Sequence, residues 1–67
     1  MIFAALLLSA ASVSAQSDEK AIRRGNRFYK TESYEQAIAK YREALAIRPN
    51  NAKAQFNLGD VYYAKQS

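Results

Sequence analysis

The 67-residue chain has no cysteine, no histidine and no tryptophan, and it holds one proline and two glycines. Without cysteine there is no disulfide, no thiol nucleophile and no lipid-modified thiol. Without histidine the commonest general base and metal ligand are missing. The sequence also contains no glycine-rich phosphate loop and no metal-spaced cluster of ligands. The expectation is therefore a non-enzyme with no catalytic residue, no metal and no cofactor. The missing cysteines do not identify a compartment, because exported proteins need not carry disulfides. The chain is also short, at most one small domain. Below roughly 70–80 residues a core rarely supplies more than a few kcal/mol unless a disulfide or metal supports it. Such a chain must lean on a partner, on a second copy or on further repeats.

What is present divides at residue 15. Residues 1–15 carry no charged side chain, and Ile2 to Leu8 form an apolar run followed by small residues. Val13 and Ala15 flank Ser14, the small-x-small pattern of a cleavage site, which predicts a signal peptide cut between Ala15 and Gln16. Ser9, Ser12 and Ser14 arrive too soon for a spanning helix of about 20 apolar residues. The alternative is an uncleaved apolar helix that anchors the chain in a membrane. All the charge follows in residues 16–67, ten Lys and Arg against six Asp and Glu, for a net +4. Residues 16–20 read as a polar joint, with Ser17 or Asp18 able to cap the next helix.

Three helices are predicted from periodicity. The first covers about residues 18–31 and buries Ala21, Gly25 and Phe28, spaced four then three. Thr31-Glu32-Ser33 is a turn, with Ser33 and Gln36 placed as a capping box. The second runs from Tyr34 to Ile47, with Tyr34, Ala37, Ile38, Tyr41, Ala44 and Leu45 as an apolar stripe. Pro49 disfavours a helical Arg48 and removes an amide, so the helix should stop there. Asn50 or Asn51 then caps a third helix over about 52–66, packing through Leu58, Gly59 and Tyr62. Gly25 and Ala37 lack bulk, so the first two helices are expected to nest closely there.

The pattern repeats. A shift of thirty-four residues puts Gly25 on Gly59, Phe28 on Tyr62 and Tyr29 on Tyr63. Residues 18–51 form one unit, and 52–67 form the first helix of a second unit that stops before its own second helix. At Gly25-x-x-Phe28, Tyr34-x-x-Ala37-x-x-x-Tyr41-x-x-Ala44-Leu45 and Pro49-x-Asn51, the chain resembles the tetratricopeptide repeat (TPR) family, and its exported bacterial members in particular. Ala21 and Gln55 stand where that family usually has a large aromatic, and Arg24 where it usually has Leu. The resemblance implies an all-α fold of antiparallel helix–turn–helix repeats, a TPR-like α-solenoid of about one and a half repeats after the N-terminal apolar signal helix. It also implies an N-terminal fragment, with more repeats downstream.

In function the resemblance implies a non-catalytic periplasmic scaffold for protein–protein contacts. The groove expected for its partner is lined by the first helix of each repeat: Ile22, Arg23, Asn26, Tyr29 and Lys30, then Lys53, Phe56, Asn57, Asp60 and Tyr63. The partner would be a protein or peptide, an acidic one included, with membrane contact only during export or through residues 2–15. Asn26 and Asn57 are spaced like two asparagines with which some members hold a chaperone's terminal carboxylate, but Ile22 stands where that clamp has Lys. The plainer reading is two solvated asparagines. Lys20, Arg23, Arg24, Arg27 and Lys30 lie along one broad side of the first helix, either a surface for anions or a solvated face partly neutralised by Glu19. A basic nucleic-acid-binding repeat is the weaker alternative, since export argues against it and the charge excess is modest.

Overall fold

The computed structural model describes residues 17–67, so the apolar stretch 1–15 and its expected cleavage after Ala15 lie outside the described residues. Among the described residues there are three helices: α1 over 17–30, α2 over Tyr34–Ile47 and α3 over Ala52–Gln66. Among the described residues none is long and apolar enough to cross a membrane.

The turn after α1 is set by its own hydrogen bonds. Ser33 N–H donates to the Phe28 carbonyl at 2.9 Å and Glu32 N–H to the Tyr29 carbonyl at 3.0 Å. These are the two bonds of a Schellman C-cap, which requires a left-handed residue between them. Glu32 fills that place at φ 62°, where glycine is usual. The expected capping box does not form. Ser33 is the N-cap of α2 but makes no side-chain cap bond, and its hydroxyl lies 3.2 Å from that of Thr31 instead. The Schellman turn fixes the Ser33 backbone at φ −86°, ψ 70° and leaves the hydroxyl beside Thr31.

α2 ends at Ile47, and Arg48, its C-cap, precedes Pro49. Arg48 is extended (φ −138°, ψ 92°), as steric conflict with a following proline ring dictates. Asn51 then starts α3, its side-chain oxygen accepting from Ala54 N–H at 3.1 Å.

α2 returns antiparallel along α1, and α3 returns antiparallel along α2. That places α3 parallel to α1, one unit further on. Three contacts record the register: Asn51 to Asp18 at 3.0 Å, Lys53 to Glu19 at 3.0 Å and Asn57 to Asn26 at 3.3 Å. The core is Ala21, Ile22, Ala37, Ile38, Tyr41, Ala44, Ala54 and Val61, with Phe28, Tyr34, Leu45 and Leu58 packed against it. Tyr41 is its largest side chain, fully buried, and burial raises its phenol above the ordinary value of 10.0, with Tyr29 and then Asp60 adding to the shift.

Several expected packing positions move. At Gly25 the three atoms nearest an added Cβ all belong to the Tyr41 ring, so the notch receives that ring. Ile22, expected in the groove, is in the core. Gly59 has open space around it and Tyr62 is 38% exposed, while α3 buries Ala54 and Val61 in their place. The reason is geometric. α3 meets α1 and α2 through one stripe, and the Gly59–Tyr62 stripe matches the side on which α1 receives α2. Among the described residues no helix covers it on α3.

Candidate partner-binding surface

The parallel pairing of α1 and α3 places the groove residues predicted from sequence on two neighbouring helices. Arg23, Tyr29 and Lys30 of α1 and Lys53, Phe56 and Tyr63 of α3 are exposed, while Asn26, Asn57 and Asp60 are half-buried. Phe56 and Tyr63 stand out, at 71% and 75% exposure. They are seven residues apart on α3 and so share one stripe, two helical turns apart. Tyr29 occupies the position on α1 that Tyr63 occupies on α3, and its ring packs on Tyr34 at 5.8 Å between centroids.

The two asparagines meet each other. Asn26 Oδ1 accepts from the Tyr41 hydroxyl and from Asn57 Nδ2 at 3.3 Å. They form a polar seam that links both units to the core tyrosine, in place of two solvated side chains. Lys53 is likewise paired with Glu19. The expected burial of one ring of the Tyr62–Tyr63 pair is also corrected, since both are exposed. Tyr62 is held on the other side of α3, where its hydroxyl accepts from Arg42 and the guanidinium lies 5.9 Å over its ring.

Asp18 fixes the ends of the helices. Its carboxylate is 2% exposed, accepts from Asn51 Nδ2 and pairs with Arg48 Nε at 3.1 Å. The bond from Asn51 does most to lower its pKa from the ordinary 3.8, and Arg48 and the amides of Glu19 and of Asp18 itself add to this, against the opposing effect of burial. Asp18 thus ties the start of α1 to the α2–α3 loop. Among the described residues no cluster of three or more His, Cys, Asp or Glu side chains is arranged to hold a metal.

The sequence model of the TPR repeat family matches residues 25–66, well over half of the chain. The chain belongs to the TPR repeat family. No curated protein and no solved structure matched it. The matched span starts at Gly25, the notch that takes Tyr41, and runs through α2 to the last residue of α3, so the TPR assignment rests on the part of the chain that builds the hairpin and its neighbour.

One feature of this TPR hairpin was missed in the sequence. Arg24, Arg27 and Phe28 of α1, Thr31 of the turn after it and Lys40 of α2 line a cleft of about 460 Å³. The spacing 24, 27, 31 was available as a signal of a shared stripe, but Lys40 comes from the second helix and only the hairpin brings it in. Of the five cations read as one broad side, Arg24 and Arg27 border the cleft.

Proposed function

We propose that this TPR chain is a non-catalytic interaction module that holds a peptide or protein along the surface formed by α1 and α3. The observation that carries the reading is the solvent exposure of Phe56 and Tyr63 on one stripe of α3. Large aromatic rings supply much of the energy at protein interfaces, because they bury wide apolar area with few rotors to order. Neither ring is used in the core, and Arg23 and Lys30 on α1, which have no carboxylate partner among the described residues, add positive charge to this surface. The basic character suits a partner with carboxylates. We further propose that residues 1–15 export the chain, with cleavage after Ala15 and a periplasmic destination.

Panning a peptide library against the 67-residue chain tests the surface. Selected peptides should lose about tenfold or more in affinity when Phe56 or Tyr63 is changed to Ala, while the melting temperature stays close to that of the parent. Binders indifferent to both substitutions would overturn the proposed surface. For export, a mature protein that begins at Gln16 is expected, and one that retains Ile2 would refute cleavage.

A further inference from the structure

The solvent side of α1 is built from cations alone. Lys20, Arg23, Arg24, Arg27 and Lys30 are all exposed. At 3.6 residues per turn they fall within an arc of about 120°, and no other residue of α1 lies inside it. Nor is this side neutralised from within. Asp18 pairs with Arg48, Glu19 with Lys53, Glu35 with Lys65 and Glu43 with Lys40. Among the described residues no carboxylate pairs with any of the five, so the expected neutralisation by Glu19 does not occur.

The thirty-four-residue period identifies the place this side holds in the stack. Lys20, Arg23, Arg24, Arg27 and Lys30 correspond to Ala54, Asn57, Leu58, Val61 and Ala64 of α3. There Ala54 and Val61 are buried and the other three are half-buried, because α3 packs on the preceding unit through them. Cations in the same register on α1 exclude another repeat, since stacking would bury charges without partners. The uncovered Gln55, Gly59 and Tyr62 of a second copy would supply no carboxylate either. A polar end is enough for solubility, and mixed signs meet that need, as on α2, where Lys40 and Arg42 accompany Glu35 and Glu43. A single sign sustained from Lys20 to Lys30, about 15 Å of helix, leaves repulsion that an anionic surface would relieve.

We propose that α1 lies with this basic side against an anionic phospholipid bilayer. A bilayer requires only positive charge presented toward one plane, and each Lys or Arg near the surface strengthens binding by about fivefold. The arc holds no aromatic ring on which a base could stack and no apolar anchor of the kind that drives protein contacts. The apolar stretch 1–15 ends just before α1 begins at residue 17, so an apolar and a basic signal adjoin, and stable membrane attachment takes two such signals. The basic side itself belongs to residues 20–30 and acts with or without that stretch. Arg23 and Lys30 stand at the margin shared with the α1–α3 surface, whereas Lys20, Arg24 and Arg27 belong to the basic side alone. The site does not use Phe56 or Tyr63.

The test is co-sedimentation of the 67-residue chain with two kinds of vesicle, phosphatidylcholine alone and phosphatidylcholine with an equal part of phosphatidylglycerol. Residues 1–15 carry no charged side chain and favour both alike, so the ratio of the two partition coefficients reports the basic side. The ratio should exceed about tenfold for the parent and fall about fivefold on each of Lys20→Gln, Arg24→Gln and Arg27→Gln. It should collapse toward unity between about 0.1 M and 1 M salt, as the Debye length shrinks from about 10 Å to about 3 Å. Arg24→Lys should keep the parent ratio, because charge alone is needed. Lys65→Gln removes the same charge from α3 and should change the ratio less than about twofold. Phe56→Ala should leave it unchanged, which separates this site from the surface proposed above. Circular dichroism melts of each variant check that the fold persists. A parent ratio near unity would overturn the proposal, as would equal losses on Lys65→Gln and Arg24→Gln, which would mean diffuse attraction by net charge. Fluorescein-labelled single-stranded RNA forms a separate arm. RNA binding that depends on Lys20, Arg24 and Arg27, with no preference for anionic vesicles, would overturn the proposal in favour of nucleic acid.

Discussion

Adding one methyl group at each glycine separates the two repeat units. A Cβ at Gly25 would sit 2.6 Å from Tyr41 Cε1, 2.8 Å from Cδ1 and 3.0 Å from Cζ. Carbon atoms pack comfortably at about 3.5–4.0 Å, so the ring would have to withdraw by about 1 Å. It has little room to do so, being fully buried and tied by its hydroxyl to Asn26. Overpacking of this kind costs about 1–3 kcal/mol. Against it stands the gain in helix propensity from Gly to Ala, about 0.5–1 kcal/mol. At Gly59 the same gain applies and nothing lies within 4 Å of the new atom. Gly59→Ala should therefore raise stability by about 0.5–1 kcal/mol, and Gly25→Ala should lower it. Because the propensity gain cancels between the two, their difference isolates the clash, about 1–3 kcal/mol. For a domain of this size each kcal/mol moves the melting temperature by about 4–8 °C. Thermal melts of the two 67-residue variants, followed by circular dichroism at the helical band, would measure the gap. If both substitutions raise the melting temperature equally, Tyr41 does not occupy the Gly25 notch and the packing described above is wrong.

Two further predictions concern the ends of the helices. The Asp18 carboxylate is lowered from its ordinary 3.8 by Asn51 first, so its ionised form is favoured by folding. That contribution is present above the unfolded pKa and lost as pH falls through the lower, folded one. Asp18→Asn should flatten the fall in stability on acidification below about pH 4, measured by urea titration at a series of pH values, and an unchanged pH profile would remove Asp18 from this role. Glu32 holds a left-handed conformation at φ 62°, which costs a side-chain-bearing residue about 1 kcal/mol. Glu32→Gly should leave stability unchanged or raise it by up to about 1 kcal/mol, because strain relief opposes the added freedom of the unfolded chain. A clear loss in chemical denaturation would show that the Glu32 side chain itself supports the turn.

The path of the backbone was legible because its signals are local. Pro49 stops α2, Asn51 caps α3, and the apolar stripe of α2 repeats with helical period, so Tyr34–Ile47 and Ala52–Gln66 lie where periodicity and caps put them. Caps that depend on a turn were less legible. Ser33 and Gln36 have the spacing of a capping box, yet the left-handed Glu32 directs the Ser33 hydroxyl to Thr31, and nothing in the residue type announced that conformation.

The sequence by itself determined the helices, the thirty-four-residue period and the absence of disulfide or histidine chemistry, since each follows from residue type and spacing along one strand of chain. Only the tertiary structure decided which repeat-equivalent positions are buried. Gly25 and Gly59 are the same letter in the same register, but one lies against the Tyr41 ring and the other against open space. Burial depends on what packs opposite, and a period along the chain cannot encode whether a neighbour is there. For the same reason the joining of Arg24 and Arg27 with Lys40 in one cleft, and the linking of Asn26 to Asn57, emerged only when the helices were brought side by side.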